Sequence, residues 1–280
     1  MESIVFLAVL AAAIMHAGWN VLVKLRLDRF LSLFLINMFM GMIGLSALMF
    51  LPWPSRESLP YIALSGILHL GYNLFLARSY RTGDLSQVYP VARGGAPLLT
   101  LIATWLLVHE DIGLAGATGI AILVAGIWLV SLGGRGRLRL DGMTLFFALG
   151  TSVFIAAYSV VDGLGGRISG APVAYAAALF VLDAILLSII AFATRGVRII
   201  REVAPYWRSG VVGAALSSGA YGLVIWAMTL APIAAVAALR ETSIFFVVLM
   251  SMRILKEPVT ASRIGGAALI VAGAGLLRLA

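Results

Sequence analysis

The sequence contains no cysteine, and both charged residues and histidines are scarce. The absence of cysteine excludes disulfide bonds and thiol chemistry. Charged residues make up 11% of the chain, against about 25% in soluble domains, so they are too few to cover an ordinary water-facing surface. Hydrophobic residues make up 62% and recur from one end to the other. The composition therefore predicts an integral membrane protein with many spans.

Ten apolar runs are long enough to cross a bilayer, for which a helix needs about 20 residues. Their hydrophobicity is continuous, which favours helices over the alternating strands of a membrane β-barrel. We therefore predict an all-α integral membrane fold with ten transmembrane helices, numbered spans 1 to 10. The first run lacks a basic leader and a small-residue cleavage site, so we interpret it as a permanent helix. The predicted spans are residues 3–23, 31–51, 59–80, 85–108, 113–132, 143–163, 172–193, 208–230, 232–254 and 262–279.

The two halves of the sequence repeat each other. HEDIGLAGATGIAILVAG (109–126) aligns with KEPVTASRIGGAALIVAG (256–273) at an offset of 147 residues, and the same offset aligns Arg93 with Arg240. The front halves match more loosely, through AGWNVLVK (17–24) and its counterpart AAYSVVDG in span 6.

This repeat predicts two units of five helices, residues 1–134 and 135–280, joined by an arginine-rich stretch. Because five is an odd number, the second unit enters the membrane from the opposite face. Inverted repeats of this kind underlie many secondary transporters, with the substrate site near mid-membrane between the halves.

These features resemble the drug/metabolite transporter superfamily, in its ten-helix EamA-like branch. The likeness is carried by the twice-repeated glutamate and glycine spacing that begins at Glu110 and Glu257, and by GWN (18–20) in span 1. It covers nearly the whole chain and implies a secondary transporter without a cofactor. It also implies a central cavity lined by spans 1–4 and 6–9, with spans 5 and 10 packed behind. The glycines of spans 5 and 10 independently favour close helix packing in lipid.

Two arginines stand well inside apolar spans. Charged residues within the membrane are expensive and usually face a cavity or a partner. Arg93 and Arg240 each precede a glutamate by 17 residues, or about 25 Å of helix, so neither can reach the headgroups on that side. We predict that this pair lines the cavity, that one arginine receives an anionic group of the substrate, and that the other pairs with Glu241.

Other polar and aromatic residues fall on helical faces of the same spans. His16 and Asn20 are spaced four residues apart, as are His69 and Asn73, which places each pair on one face. A structural hydrogen-bonding role between helices is the alternative for the two histidines. The remaining candidate binding residues are Trp19, Tyr72, Tyr158, Tyr221 and Trp226.

We predict that Lys24 and Asp162 gate the cavity, one on each face. The alternative is that both lie near helix ends and extend to the headgroups. Glu110 and Glu257 are interpreted as anchors of the turns between spans 4 and 5 and between spans 9 and 10.

An intramembrane enzyme is the alternative from another class. The three histidines include no H-E-x-x-H zinc motif, and Ser217 and Ser218 lack the surroundings of an activated nucleophile. No Walker-type loop is present, so ATP is not expected as the energy source. We predict no catalytic residue, metal or cofactor, and we attribute the net charge of +8 to cytoplasmic loops rather than to nucleic-acid binding.

The sequence thus predicts a multi-pass protein of the cell membrane, specifically a bacterial inner membrane, that exports amino acids or related metabolites bearing a carboxylate. The alternative is an exporter of drugs or organic cations, with Glu241, Asp162 and Asp183 as counter-charges. Coupling to a proton or another ion is left open. Alternate loops carry 15 Lys/Arg residues against 3 on the opposite face, so the positive-inside rule places both termini outside the cytoplasm, whereas the resemblance implies cytoplasmic termini.

Overall fold

The computed structural model describes residues 1–23, 29–82, 85–132, 141–254 and 260–280. Within these ranges, ten helical segments are long and apolar enough to cross a membrane. The predicted fold class is therefore confirmed. The uninterrupted spans are span 1, Ser3–Val23; span 2, Arg29–Leu48; span 3, Leu59–Thr82; span 5, Gly113–Leu132; span 6, Gly142–Ile168; span 7, Pro172–Arg195; span 8, Trp207–Leu230; and span 10, Ala261–Leu279. A short helix, Arg198–Val203, precedes span 8.

The span boundaries follow local chemistry. The Asp141 carboxylate accepts the backbone N–H of Thr144 at 3.0 Å and caps span 6. The hydroxyl and the backbone N–H of the neighbouring Thr144 hold the pKa of the exposed Asp141 carboxyl below its ordinary value. Span 6 ends five residues later than residue 163, the predicted end. The glycines near that end pack closely against spans 7 to 9 and do not terminate the helix.

Spans 4 and 9 are each broken near their middle. Span 4 consists of helices Leu85–Gly94 and Ala96–Ala103 and a π-helical turn, Thr104–Val108. Span 9 consists of helices Ile233–Arg240 and Ser243–Ile254. The repeat offset of 147 residues aligns Gly95, which separates the two helices of span 4, with Thr242, which lies between the two helices of span 9. The two interruptions therefore occupy corresponding positions in the two repeats.

The packing of the spans follows a two-fold relation. Span 1 packs along span 8, and span 3 packs along span 6, which is the equivalent pair when the repeats are exchanged. Span 2 packs against span 7, and span 5 against span 10, so each of these spans contacts its own counterpart. This pattern supports the two inverted repeats. The predicted boundary at residue 134 lies outside the described residues and stays a prediction.

Spans 5 and 10 approach each other backbone to backbone. A Cβ atom at Gly126 would lie 2.7 Å from the carbonyl oxygen of Gly266. A Cβ atom at Gly273 would lie 2.6 Å from the backbone nitrogen of Leu123. Neither neighbour can rotate away, since both are main-chain atoms. The repeated glycines therefore allow the backbones of spans 5 and 10 to pack at this short distance.

We expect Gly273→Ala to lower the thermal unfolding temperature of the purified protein by several degrees, because the added methyl group must push spans 5 and 10 apart. Gly275→Ala, two residues away, is the matched control, since no atom lies within 4 Å of its added Cβ. Alanine is favoured over glycine in a helix by up to about 1 kcal/mol, so the control should be neutral or slightly stabilised. Equal unfolding temperatures for the two variants would contradict the close approach.

Candidate functional site

Three buried side chains from spans 4 and 9 and a half-buried histidine from span 1 form an arginine cluster, defined here as His16, Arg93, Arg240 and Glu241. Nε of Arg93 lies 2.9 Å from Oε2 of Glu241, and Nη2 of Arg240 lies 3.4 Å from Oε1 of the same carboxylate. Nη2 of Arg93 also lies 3.2 Å from Nε2 of His16. Both arginines therefore contact Glu241, whereas the sequence-based prediction paired Glu241 with one of them.

The breaks in spans 4 and 9 help to hold these charges inside the protein. Arg93 and Arg240 each lie in the last turn of the first half of their span. The C-terminus of a helix carries a partial negative charge that stabilises a nearby cation. Because two guanidinium groups share one carboxylate, the arginine cluster carries one net positive charge while His16 is neutral.

A second polar group, the carboxylate cluster, is defined here as His69, Asp162, Tyr175, Asp183 and Tyr221. Nδ1 of His69 lies 3.1 Å from Oδ2 of Asp183, and Nε2 lies 3.9 Å from Oδ2 of Asp162. Asp162 is fully buried and accepts hydrogen bonds from the hydroxyls of Tyr175 and Tyr221. Spans 3, 6, 7 and 8 thus bring two carboxylates to one histidine.

Tyr158 lies between the two clusters. Its ring centroid is 4.3 Å from that of His69, and the guanidinium carbon of Arg240 lies 5.8 Å from the Tyr158 ring centroid. The Tyr72 ring packs edge-on against Tyr158 at 5.9 Å. A net positive group and a net negative group therefore face each other across an aromatic side chain in the interior of the helix bundle.

The break in span 4 is supported by a side chain from span 6. The Ser152 hydroxyl lies 2.8 Å from the carbonyl oxygen of Val91 and 3.0 Å from that of Ala92. One hydroxyl of span 6 thus contacts two carbonyls in the last turn before the break in span 4.

The structure brings most of the predicted site residues to these two clusters. Trp19 joins the arginine cluster by donating from Nε1 to Nδ1 of His16 at 3.3 Å. Asn20 and Asn73 donate back to the carbonyls of His16 and His69 in their own helices. Trp226 packs instead against an apolar cluster of spans 1, 8 and 9.

The two predicted gating residues have different outcomes. Lys24 lies outside the described residues. The alternative that Asp162 extends to the headgroups is wrong, because its side chain is completely buried and accepts hydrogen bonds from two tyrosine hydroxyls. Its role as a gate stays a prediction.

Sequence reasoning missed two contributors and placed a third, Asp183, only in the alternative function. Tyr175 stands in an apolar run where nothing distinguishes a buried hydrogen-bond donor from a packing aromatic. Ser152 carries no motif. Asp183 was named only as a counter-charge for cations, although an acidic residue in the middle of a span is itself an indication of a functional site.

Glu110 connects the two repeats on one face of the bundle. Its Oε1 lies 2.6 Å from Nη2 of Arg167, and its Oε2 accepts the N–H of Ile233 at 2.9 Å. Arg167 also donates to the carbonyls of Met228 and Ala231, at 2.8 and 3.1 Å. We call Glu110, Arg167 and Ile233 the clasp. The carboxylate caps the start of span 9 rather than the turn that follows span 4, and it fastens spans 4, 6, 8 and 9 together.

Glu110→Ala removes both contacts of the carboxylate and so breaks the clasp. We expect the first half of span 9 to become accessible to water for a larger fraction of the time. Since the chain has no cysteine, a single Ala237→Cys, one turn before Arg240, can report access to a water-soluble maleimide. We expect several-fold faster labelling of Ala237→Cys in the Glu110→Ala background. An Ala280→Cys control at an exposed position should label at the same rate in both backgrounds. Unchanged labelling at position 237 would mean that the clasp does not hold this face closed.

Comparisons with known proteins agree with this architecture. A family model described as the EamA-like transporter family matches residues 3–132 and 142–279. One crystal structure of a protein aligns over 100% of this chain and 98% of its own chain, with a TM-score of 0.80 and 18% sequence identity. At that identity the likeness shows the fold alone. No curated protein matches the sequence.

Proposed function

Because the chain belongs to the EamA-like transporter family, we propose that it is a secondary active transporter that exports amino acids or related zwitterionic metabolites. One observation carries this proposal. Spans 4 and 9 are broken at corresponding positions of the two repeats. The helix before each break ends with an arginine, and both arginines contact the buried Glu241. Discontinuous helices at matched positions in inverted repeats are typical of substrate sites in transporters.

The arginine cluster supplies recognition of a carboxylate. Guanidinium groups bind carboxylates through two parallel hydrogen bonds, which gives both strength and a fixed orientation. Glu241 neutralises one of the two arginines, so one positive charge is left for the substrate. The second halves of spans 4 and 9 begin close by, and the positive ends of their dipoles add to the attraction for an anion.

The carboxylate cluster supplies the complementary charge. Asp162 and Asp183 together carry two negative charges around His69, on the other side of Tyr158 from Arg240. A molecule with a carboxylate at one end and an ammonium group at the other matches this arrangement. The rings of Tyr72 and Tyr158 offer apolar surface to the carbon skeleton between the two groups.

The proposal is tested by exchange of radiolabelled amino acids in proteoliposomes that contain the purified protein. For each amino acid, the panel includes its amide, which lacks the carboxylate charge, and its decarboxylated amine. We expect amino acids to exchange at least ten-fold faster than either analogue. Equal rates for the amino acid and its amide would overturn recognition through the arginines.

The second candidate function is export of organic cations. The two carboxylates of the carboxylate cluster favour it, because they attract a cation whether or not it carries a carboxylate. In the same panel, this function predicts fast exchange of the decarboxylated amines and little exchange of the amino acids.

A further inference from the structure

His69 is placed so that each ring nitrogen faces a carboxylate. Nδ1 lies 3.1 Å from Oδ2 of Asp183, and Nε2 lies 3.9 Å from Oδ2 of Asp162. A neutral imidazole carries one N–H group and one lone pair. With both carboxylates ionised, a neutral His69 would therefore direct its lone pair at one of them.

The hydrogen-bond pattern around Tyr221 decides which nitrogen carries a proton. The Tyr221 hydroxyl donates its single hydrogen to Asp162, so its oxygen is left to accept. Nε2 of His69 lies 3.3 Å from that oxygen. Nε2 is then the donor in this contact and carries a hydrogen.

Nδ1 is consequently the position at which a second proton binds. If it stayed unprotonated, its lone pair would face the Asp183 carboxylate at 3.1 Å, in a region where unbalanced charge is expensive. A proton on Nδ1 converts His69 into an imidazolium, which donates towards Asp183 on one side and towards Tyr221 and Asp162 on the other.

The charged and titratable groups around His69 come from four other spans. Asp162 and Tyr158 face it from span 6, Asp183 from span 7 and Tyr221 from span 8. Arg240 of span 9 acts on it from behind Tyr158. The two carboxylates outnumber this single arginine, so the surroundings favour a positively charged His69.

One side of the carboxylate cluster borders a cleft. A small polar cleft is lined by Asn37, Asn73 and Asp183, together with apolar residues of spans 3 and 7. The amide nitrogens of Asn37 and Asn73 donate to carbonyls of their own helices, which leaves their side-chain oxygens as acceptors for water. Asp183 thus touches both the cleft and His69.

We propose that Nδ1 of His69, together with Asp183, forms a proton-binding site, and that the ammonium group of the solute displaces this proton. The proton leaves to water in the cleft, and the ammonium group takes over the ion pair with Asp183, so charge is balanced in both states. One solute is then exchanged for one proton, and an inward proton gradient drives the solute outward. The displacement rests on the proposed function, whereas the proton site does not.

The proton site is tested without substrate by nitrogen-15 NMR of the full chain labelled at histidine. The chain has three histidines, and His69→Gln assigns the signal of interest. We expect His69 to be an imidazolium at neutral pH in the wild type, and to lose that extra proton in Asp183→Asn. Asp111→Asn, an exposed carboxylate removed in the same way, should leave the His69 signal unchanged. A neutral His69 in the wild type, or identical titration in Asp183→Asn, would overturn the site.

The displacement is tested by titration calorimetry with the amino acid that exchanges fastest in the panel. Measurements in two buffers of different ionisation enthalpy give the number of protons released on binding. We expect about one proton per amino acid in the wild type and in Asp111→Asn. Binding to the wild type without proton release would overturn the displacement. Failure of every panel compound to exchange would instead count against the proposed function, and the NMR titration would still decide the proton site.

Discussion

Glu241→Gln is expected to destabilise the protein severely. The carboxylate of Glu241 contacts both Arg93 and Arg240, and all three side chains are buried. Its neutralisation raises the net charge of the arginine cluster from one to two. Removing one partner of a buried ion pair typically costs about 3–5 kcal/mol, so the thermal unfolding temperature and the yield of folded protein should both fall sharply.

The charge explanation is tested by a second substitution in the same variant. Glu241→Gln combined with Arg240→Gln restores one net positive charge, so the double variant should be more stable than the single one. Glu202→Gln is the surface control, because Glu202 pairs with Arg195 at 3.7 Å where both side chains are exposed, and such pairs contribute about 0–1 kcal/mol. A double variant as unstable as Glu241→Gln would show that net charge is not the cause.

Arg93→Lys is expected to abolish the preference for amino acids over their amides. Lysine keeps the positive charge, but its ammonium group is a point charge that cannot reproduce the planar, two-bond grip of a guanidinium. The side chain at position 93 must also contact both Glu241 and His16. One ammonium group cannot bind these two partners and a substrate carboxylate at the same time as well as a guanidinium group can. In proteoliposomes, exchange of the amino acid should fall at least ten-fold, whereas exchange of its amide should change little.

The control for this substitution is Arg208→Lys, at an exposed arginine that lies against Trp207, which should exchange amino acids like the wild type. The unfolding temperature of Arg93→Lys must be measured beside the transport rates, so that loss of folded protein is separated from loss of recognition. Retained ten-fold discrimination in a folded Arg93→Lys protein would mean that Arg93 is structural.

The sequence was sufficient for the features that depend on local pattern. Long apolar runs gave the ten spans, the constant offset gave the repeats, and charges inside apolar runs marked Arg93, Arg240 and Glu241. The helical spacing of His16 with Asn20 and of His69 with Asn73 also identified the faces that turn inward, because the period of a helix is readable along the chain.

The remaining features depend on how the spans meet in space. The sequence does not show that Arg93 reaches Glu241 across 148 positions, or that Glu110 caps span 9 rather than the turn beside it. The role of Tyr175 as a hydrogen-bond donor depends on its contact with Asp162 of span 6, which the sequence does not show. In each case the choice of partner is made by packing between helices that are distant along the chain.

The pairing of span 5 with span 10 has a consequence for biosynthesis. Span 5 presents backbone atoms at Gly119 and Gly126 to a neighbour that begins only at Ala261. During translation, the first repeat is therefore inserted into the bilayer long before the glycine-rich face of span 5 is covered. A nascent chain arrested before span 10 would present that face to lipid or to insertion chaperones, so insertion of span 10 is the step that covers it.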